Sequence, residues 1–172
     1  MFILKPGVQA YMERGKLFFA MMYKDKGIFE KAVEYLKDDF GAMLSSSAEY
    51  DFNFTDYYKE EFGTDLKKTL IVFDKIINDE DLAEIKIISS HVEDEFCSDG
   101  NKRAINIDPG YFNDKGVVLA SFKGKDFKDC IEGDVFAHKV LGFDNGTIKG
   151  FFHTFPDFKS GIVKDFFIKL IK

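Results

Sequence analysis

The sequence predicts an α+β fold built on a mostly antiparallel sheet. Three observations carry this expectation. Residues 16–23 (KLFFAMMY) are a continuous apolar run, the pattern of a strand buried on both faces. Two segments, around 28–40 and 79–96, carry apolar residues spaced by threes and fours, the stripe of a core-facing helix. Asn145-Gly146 stands between two apolar runs, the strongest short signal for a hairpin.

The first strand, 16–23, is expected near the sheet centre. Ile28, Ala32, Val33, Leu36 and Phe40 then mark a helix that Gly41 can end. Segment 48–54 alternates, with Tyr50, Phe52 and Phe54 on one face, and reads as a half-exposed strand. Segment 55–63 is polar and aromatic, a loop or short helix. The third strand is 68–77, and Asn78 or Asp79 can cap the helix that follows, with Leu82, Ile85, Ile88, Val92 and Phe96 on one side. Segment 104–108 is a fourth strand, ended by Pro109-Gly110. This order, βαββαβ, is the ferredoxin-like arrangement. A further strand (116–122), a hairpin of 136–143 with 147–155, and a C-terminal helix (161–172) extend it. With no linker and no repeat, residues 1–172 are expected to form a single domain, with 1–15 loosely ordered.

Of 172 residues, 45% are hydrophobic, enough for an ordinary core. The net charge of −6 without a basic block argues against non-specific nucleic-acid binding, which rests on many Lys/Arg–phosphate contacts. Basic charge is nearly all lysine; Arg14 and Arg103 are the only arginines. Cys97 and Cys130 lack zinc-site spacing and are expected to be buried and reduced. The apolar start Met1–Leu4 is too short for a signal peptide, and no run approaches a membrane span. The cytoplasm is the expected compartment.

Five segments occur in an order that resembles a known family: FNFTDYYKEEFG (52–63), INIDPGYF (105–112), VVLASFK (117–123), FAHK (136–139) and HTFPDF (153–158). Together they are similar to the bacterial family known as domain of unknown function 4416, over nearly the whole chain after Lys16. The Asn106-x-Asp108-Pro109-Gly110-Tyr111 and Thr55-Asp56-Tyr57-Tyr58 segments are the most specific. The resemblance implies a bacterial, cytoplasmic protein and brings no assigned activity. Two departures stand out. His138-Lys139 replaces the family's usual His-Arg, and 124–135 reads as an insertion, so either Lys123 or Lys125 matches the family's lysine.

Common catalytic templates are absent. There is no GxxxxGK[ST] loop, GxSxG elbow or HExxH helix, and His153-Thr154 lacks the spacing of a phosphoesterase His-x-Thr. The hairpin is more informative. A two-residue turn at Asn145-Gly146 pairs Asp144 with Thr147, Phe143 with Ile148 and Leu141 with Gly150, and extends to His138 opposite His153. Cross-strand imidazoles, about 5 Å apart at Cβ, can share a divalent metal, bind phosphate, or act as acid and base; a hydrogen-bonded structural pair is the alternative. On this count Val140 and Phe151 share the histidine face, while Leu141, Phe143, Ile148 and Phe152 point into the core.

Asn106 and Asp108 share a strand face just before Tyr111, either as Asx-type strand-end residues or as acceptors at a pocket rim. Asp56, Tyr57 and Tyr58 form a loop that can stack on a ring or pack onto the sheet. Lys123 is a further ligand-binding candidate; Lys67 and Lys68 can meet a phosphate but read first as solvated surface lysines, and His91 reads as surface. The expected candidates are thus His138, His153 and Asp108 for proton or metal chemistry, and Asn106, Tyr111, Asp56, Tyr57, Tyr58 and Lys123 for ligand contact. The expected function is binding of a small polar or nucleotide-like ligand, with enzyme activity open. A non-catalytic protein-interaction module whose sheet edge or C-terminal helix binds a protein, with a homodimer as one form of it, is the alternative. RNA binding through the tyrosine loop ranks third.

Overall fold

The computed structural model describes residues 13–124 and 128–172. Residues 1–12 of the N-terminal segment, and Lys125, lie outside the described residues. Among the described residues, four helices pack on a nine-stranded sheet in which every pairing is antiparallel.

β1 (Arg14–Tyr23) is interior, as its apolar run predicts. It pairs with β4 (Lys67–Asn78) on one side and β5 (Ile105–Asn113) on the other. Its residues alternate between two cores. Leu17, Phe19, Met21 and Tyr23 meet α1 (Lys26–Phe40) and α3 (Asp81–Asp94) on one face. Phe18, Ala20 and Met22 meet α4 (Gly161–Ile171) and the 3-10 turn Pro156–Lys159 on the other. α1 starts where the Asp25 carboxylate accepts from the N–H groups of Gly27 and Ile28, at 2.7 and 3.2 Å. Neither Asn78 nor Asp79 caps α3 with its side chain; the Asp79 carboxylate instead accepts from the Glu13 N–H at 3.2 Å and from the Tyr111 hydroxyl.

The edge beside β4 differs from the alternation pattern. It consists of β2 (Met43–Ser46) and a two-residue β3 (Tyr50–Asp51) rather than one strand over 48–54. Ser47 causes the break. Its N–H donates to the Leu70 carbonyl at 2.8 Å while its hydroxyl accepts from the Leu70 N–H at 3.0 Å, so a side chain replaces one ladder bond. α2 (Lys59–Phe62) is the short helix of the tyrosine segment.

β5 does not end at Pro109-Gly110; it runs on to Asn113. The Ile107 N–H is turned away from β1 and taken by Glu93. Two residues later Pro109 has the same facing, so its missing N–H removes nothing from the β1 ladder. Gly110 is needed for close packing: a Cβ there would stand 2.2 Å from the Val118 carbonyl oxygen and 2.7 Å from the Phe18 ring. Gly110→Ala is expected to destabilise the protein by about 2 kcal/mol, read by urea denaturation. A change below about 0.5 kcal/mol would show that the strands separate freely at this point.

β6 (Gly116–Ser121) continues the sheet to β8 (Val135–Asp144), flanked by β7 (Asp129–Glu132) and β9 (Thr147–Gly150). β7 forms within the segment read as an insertion. The Asn145-Gly146 turn has both residues at positive φ, 49° and 75°, and sets the counted pairs Asp144–Thr147, Phe143–Ile148 and Leu141–Gly150. The ladder stops there. A bulge opposite Val117/Val118 turns Val140 and Leu141 to the same core, which the strict alternation could not anticipate. Phe152 is exposed, not in the core, and Ile162 of α4 is also exposed. Cys97 is half-buried and Cys130 exposed; neither is a core thiol. No described helix is long and apolar enough to cross a membrane.

Candidate functional site

The sheet splits between β5 and β6. They pair only from Gly110 onward, so the 105–109 half of β5 faces no strand on that side. α3 fills the gap with two buried charged residues. The Lys86 ammonium donates to the Ile107 carbonyl at 2.9 Å, and a Glu93 oxygen accepts from the Ile107 N–H at 2.6 Å. Both backbone groups that a neighbouring strand would have met are thereby satisfied. Lys86 also reaches Asp108 at 2.8 Å, and the Asn106 amide donates to the other Asp108 oxygen at 2.8 Å. Arg103 completes the cluster. It forks onto Glu61 of α2 at 2.7 and 3.0 Å and donates to Asn106 at 2.8 Å and Glu93 at 3.3 Å.

Above this split lies a cavity of about 540 Å3. Its floor is Asn106, Asp108, Leu119 and His138. The Tyr57–Tyr58 loop forms one wall, and Phe155 with Asp157 another. Lys68, Lys86, Arg103, Lys123 and Lys128 line it as cations. Lys68 is not a surface residue: it is buried, donates to Asp157 at 2.7 Å, and stands over the Phe52 ring at 4.9 Å. The Tyr50 hydroxyl donates to the same Asp157 oxygen at 3.0 Å. Lys67, by contrast, pairs with Asp51 at the edge, and His91 is exposed as expected.

Most of the anticipated residues converge here. Asn106, Asp108, Tyr57, Tyr58, Lys123 and His138 all border the cavity. Three do not. Tyr111 points to the opposite face, buried and bonded to Asp79, because it is an odd position of β5 where Asn106 and Asp108 are even. Asp56 is exposed and pairs with Lys59 at 3.2 Å. His153 lies behind His138, outside the lining.

The two histidines are adjacent, but not through the strand register. β9 ends at Gly150, and a turn follows in which the Phe151 N–H donates to the Thr154 hydroxyl at 2.7 Å. That hydroxyl donates to the Val140 carbonyl at 2.6 Å. This turn brings the His153 ring to 5.0 Å from that of His138, centroid to centroid, stacked on Phe151 at 5.2 Å. The His153 Nε2 lies 3.3 Å from the Lys139 carbonyl oxygen. Asp108 is not beside the pair. It is separated from His138 by β6 and by two residues along the strand, roughly 12 Å between Cα atoms. Among the described residues no three of His, Cys, Asp and Glu converge as a metal ion requires. His138, His153 and Asp108 therefore do not form a ligand set.

The electrostatics separate the roles further. Burial pushes the His138 imidazole down to about 3, with the positive charge of Lys128 and the neighbouring His153 acting in the same direction, so it is neutral at physiological pH. Burial would raise Asp108, but the Lys86 ammonium and the bonds from Lys86 and Asn106 outweigh it and hold the carboxyl below its ordinary value. Burial raises the Tyr58 phenol, and the Asp108 charge adds to this. Burial likewise raises Glu93, against Lys86 and Arg103. The site thus offers a neutral imidazole, a fixed carboxylate, the neutral Tyr58 phenol and several cations.

Lys86, Glu93, Arg103 and Asp157 are site residues that the sequence pattern does not single out, and Lys68 is one that it ranks first as surface. A signal existed for two of them. Lys86 and Glu93 sit one position after Ile85 and Val92, on the same helical stripe, where surface charges do not belong.

A family model described as Domain of unknown function (DUF4416) matches residues 13–172. No curated protein matches the chain.

Proposed function

We propose that this chain, which belongs to the DUF4416 family, binds a small anionic, nucleotide-like ligand in the cavity between the Tyr57–Tyr58 loop and the β5–β6–β8 floor. One observation carries the reading: five cationic side chains against two carboxylates, Asp108 and Asp157, border a single cavity together with several aromatic rings, in a chain whose net charge is −6. Cations concentrated against the sign of the whole molecule mark a place where negative charge is to be received. Tyrosine and phenylalanine rings supply faces on which a flat heterocycle stacks. The volume of about 540 Å3 falls within the range of small-molecule sites.

Binding is favoured over proton-transfer chemistry. With its pKa held near 3, the His138 imidazole has no imidazolium proton to give up at neutral pH and is a weak base, and Lys86 holds Asp108 as a carboxylate. In this reading His138 is a hydrogen-bonding group on the cavity floor. The surrounding framework is read as one ferredoxin-like domain, supported by the order β2-β4-β1-β5 with α1 and α3 on one face. A bacterial, cytoplasmic setting belongs to the same reading, and the unpaired Cys97 and Cys130 suit a reducing compartment.

The test is titration calorimetry with adenosine, guanosine, cytidine and uridine 5′-monophosphates, paired with thermal melts. At 10 to 100 times its Kd, a binding nucleotide is expected to stabilise the fold by about 1.4–2.7 kcal/mol. No heat and no melting shift with any of the four at millimolar concentration would remove the proposal.

A further inference from the structure

We infer that the ligand's anionic group is a phosphate received by Lys123 at the β6 end of the cavity, and that Lys123 leaves the Tyr57 ring to bind it. This rests on the nucleotide-like reading of the cavity above. The cations lining the cavity are not equivalent. Lys68 is paired with Asp157 at 2.7 Å and Lys86 with Asp108 at 2.8 Å, and Arg103 is forked onto Glu61 at 2.7 Å. Each already has a carboxylate, so an incoming anion would have to compete for it. Lys123 has no carboxylate within ion-pair distance among the described residues. Its ammonium stands instead over the Tyr57 ring, 3.6 Å from the centroid, and 5.2 Å from that of Tyr58.

A cation on a ring face is held more weakly than one bonded to an oxyanion. A phosphate entering the cavity therefore draws Lys123 from the tyrosine. The Tyr57 face it uncovers becomes the surface on which the ligand's heterocycle can stack, so the charge and the ring of one ligand replace a single internal contact. The setting supports the anion. Lys128 donates to the Ser121 hydroxyl at 3.1 Å and to the Lys123 carbonyl at 2.9 Å, which braces the turn that carries Lys123 and adds positive charge beside it. Ser121 brings a hydroxyl to the same end.

The preferred ligand is accordingly a nucleoside monophosphate rather than a nucleoside or a simple sugar phosphate. Calorimetry on wild type, Lys123→Ala and Lys123→Arg tests this with the four nucleoside monophosphates, the matching nucleosides and ribose 5-phosphate. Wild type is expected to prefer the best monophosphate over its nucleoside by about tenfold or more. Lys123→Ala should abolish that preference without weakening the nucleoside, and Lys123→Arg should largely retain it. Lys123 is exposed, so unchanged melting of both variants is expected and guards against misfolding. Equal binding of nucleoside and monophosphate by wild type, or a preference that survives Lys123→Ala, would overturn the inference while leaving the cavity reading intact. Ribose 5-phosphate binding as tightly as the nucleotide would also overturn it, since nothing would then stack on Tyr57. If no nucleoside, nucleotide or sugar phosphate binds at all, the cavity reading fails and the inference falls with it.

Discussion

Replacing Lys86 by Met is expected to destabilise the protein by about 3 kcal/mol, because it strands a partly buried carboxylate and an unpaired backbone carbonyl together. Met keeps the aliphatic stem, so little packing is lost. What disappears is the ammonium that donates to Asp108 at 2.8 Å and to the Ile107 carbonyl at 2.9 Å. Asp108 then retains only Asn106 as a close donor. Its side chain is 22% exposed toward the cavity, so water relieves part of the cost and the effect belongs at the lower end for a broken buried pair. Adding Asp108→Asn to Lys86→Met removes the stranded charge and should recover about 1 kcal/mol or more. Urea denaturation of the four proteins of this cycle provides the measurement. A single-mutant loss below 1 kcal/mol, or no recovery in the double mutant, would mean that the β5–β6 split is held by something other than the Lys86 bridge.

That bridge also marks the boundary of what a linear pattern can reveal. The interior position of β1, both long helices and the Asn145-Gly146 turn are legible because each is dictated by local spacing and by burial of apolar side chains. The pocket's polar partners depend on where the sheet comes apart. Nothing local in 105–109 says that β6 will pair only from Gly110, so nothing local says that Lys86 and Glu93 must turn inward to serve Ile107. Ser47, Thr154 and the Val140 bulge form a second class. In each, a hydroxyl or an extra residue replaces one ladder bond and shifts everything beyond it, as His153 shows. The register count sets the histidines opposite each other; they meet instead through the Thr154 turn, which leaves His153 outside the cavity and His138 on its floor beside Asn106, Asp108 and Leu119.

His138 should make the protein acid-sensitive well above the carboxylate range. Its imidazole is 1% exposed, and burial holds its folded pKa near 3, against about 6.5 in the unfolded chain. Between those values the unfolded state binds the proton and the folded state does not. Stability is therefore fully present above pH 6.5 and declines as the pH falls below it, by about 1.4 kcal/mol per unit within the window. From pH 6.5 to 4.5 the loss attributable to this one group is about 2.3 kcal/mol. Other groups act differently. Asp108, lowered in the folded state, contributes stability that is lost only as acid titrates carboxylates. Glu93, raised by burial, has the opposite sign and gains as pH falls. Comparing wild type with His138→Gln cancels these shared terms. A constant offset from repacking does not alter the slope, so the quantity to read is how the stability difference changes with pH. Wild type should lose more than the variant, progressively, between pH 6.5 and 4.5 in urea denaturation. A difference that stays flat across that interval would show that the His138 ring is hydrated or partnered well enough to hold its proton, and would return it to the list of groups able to donate one to a ligand.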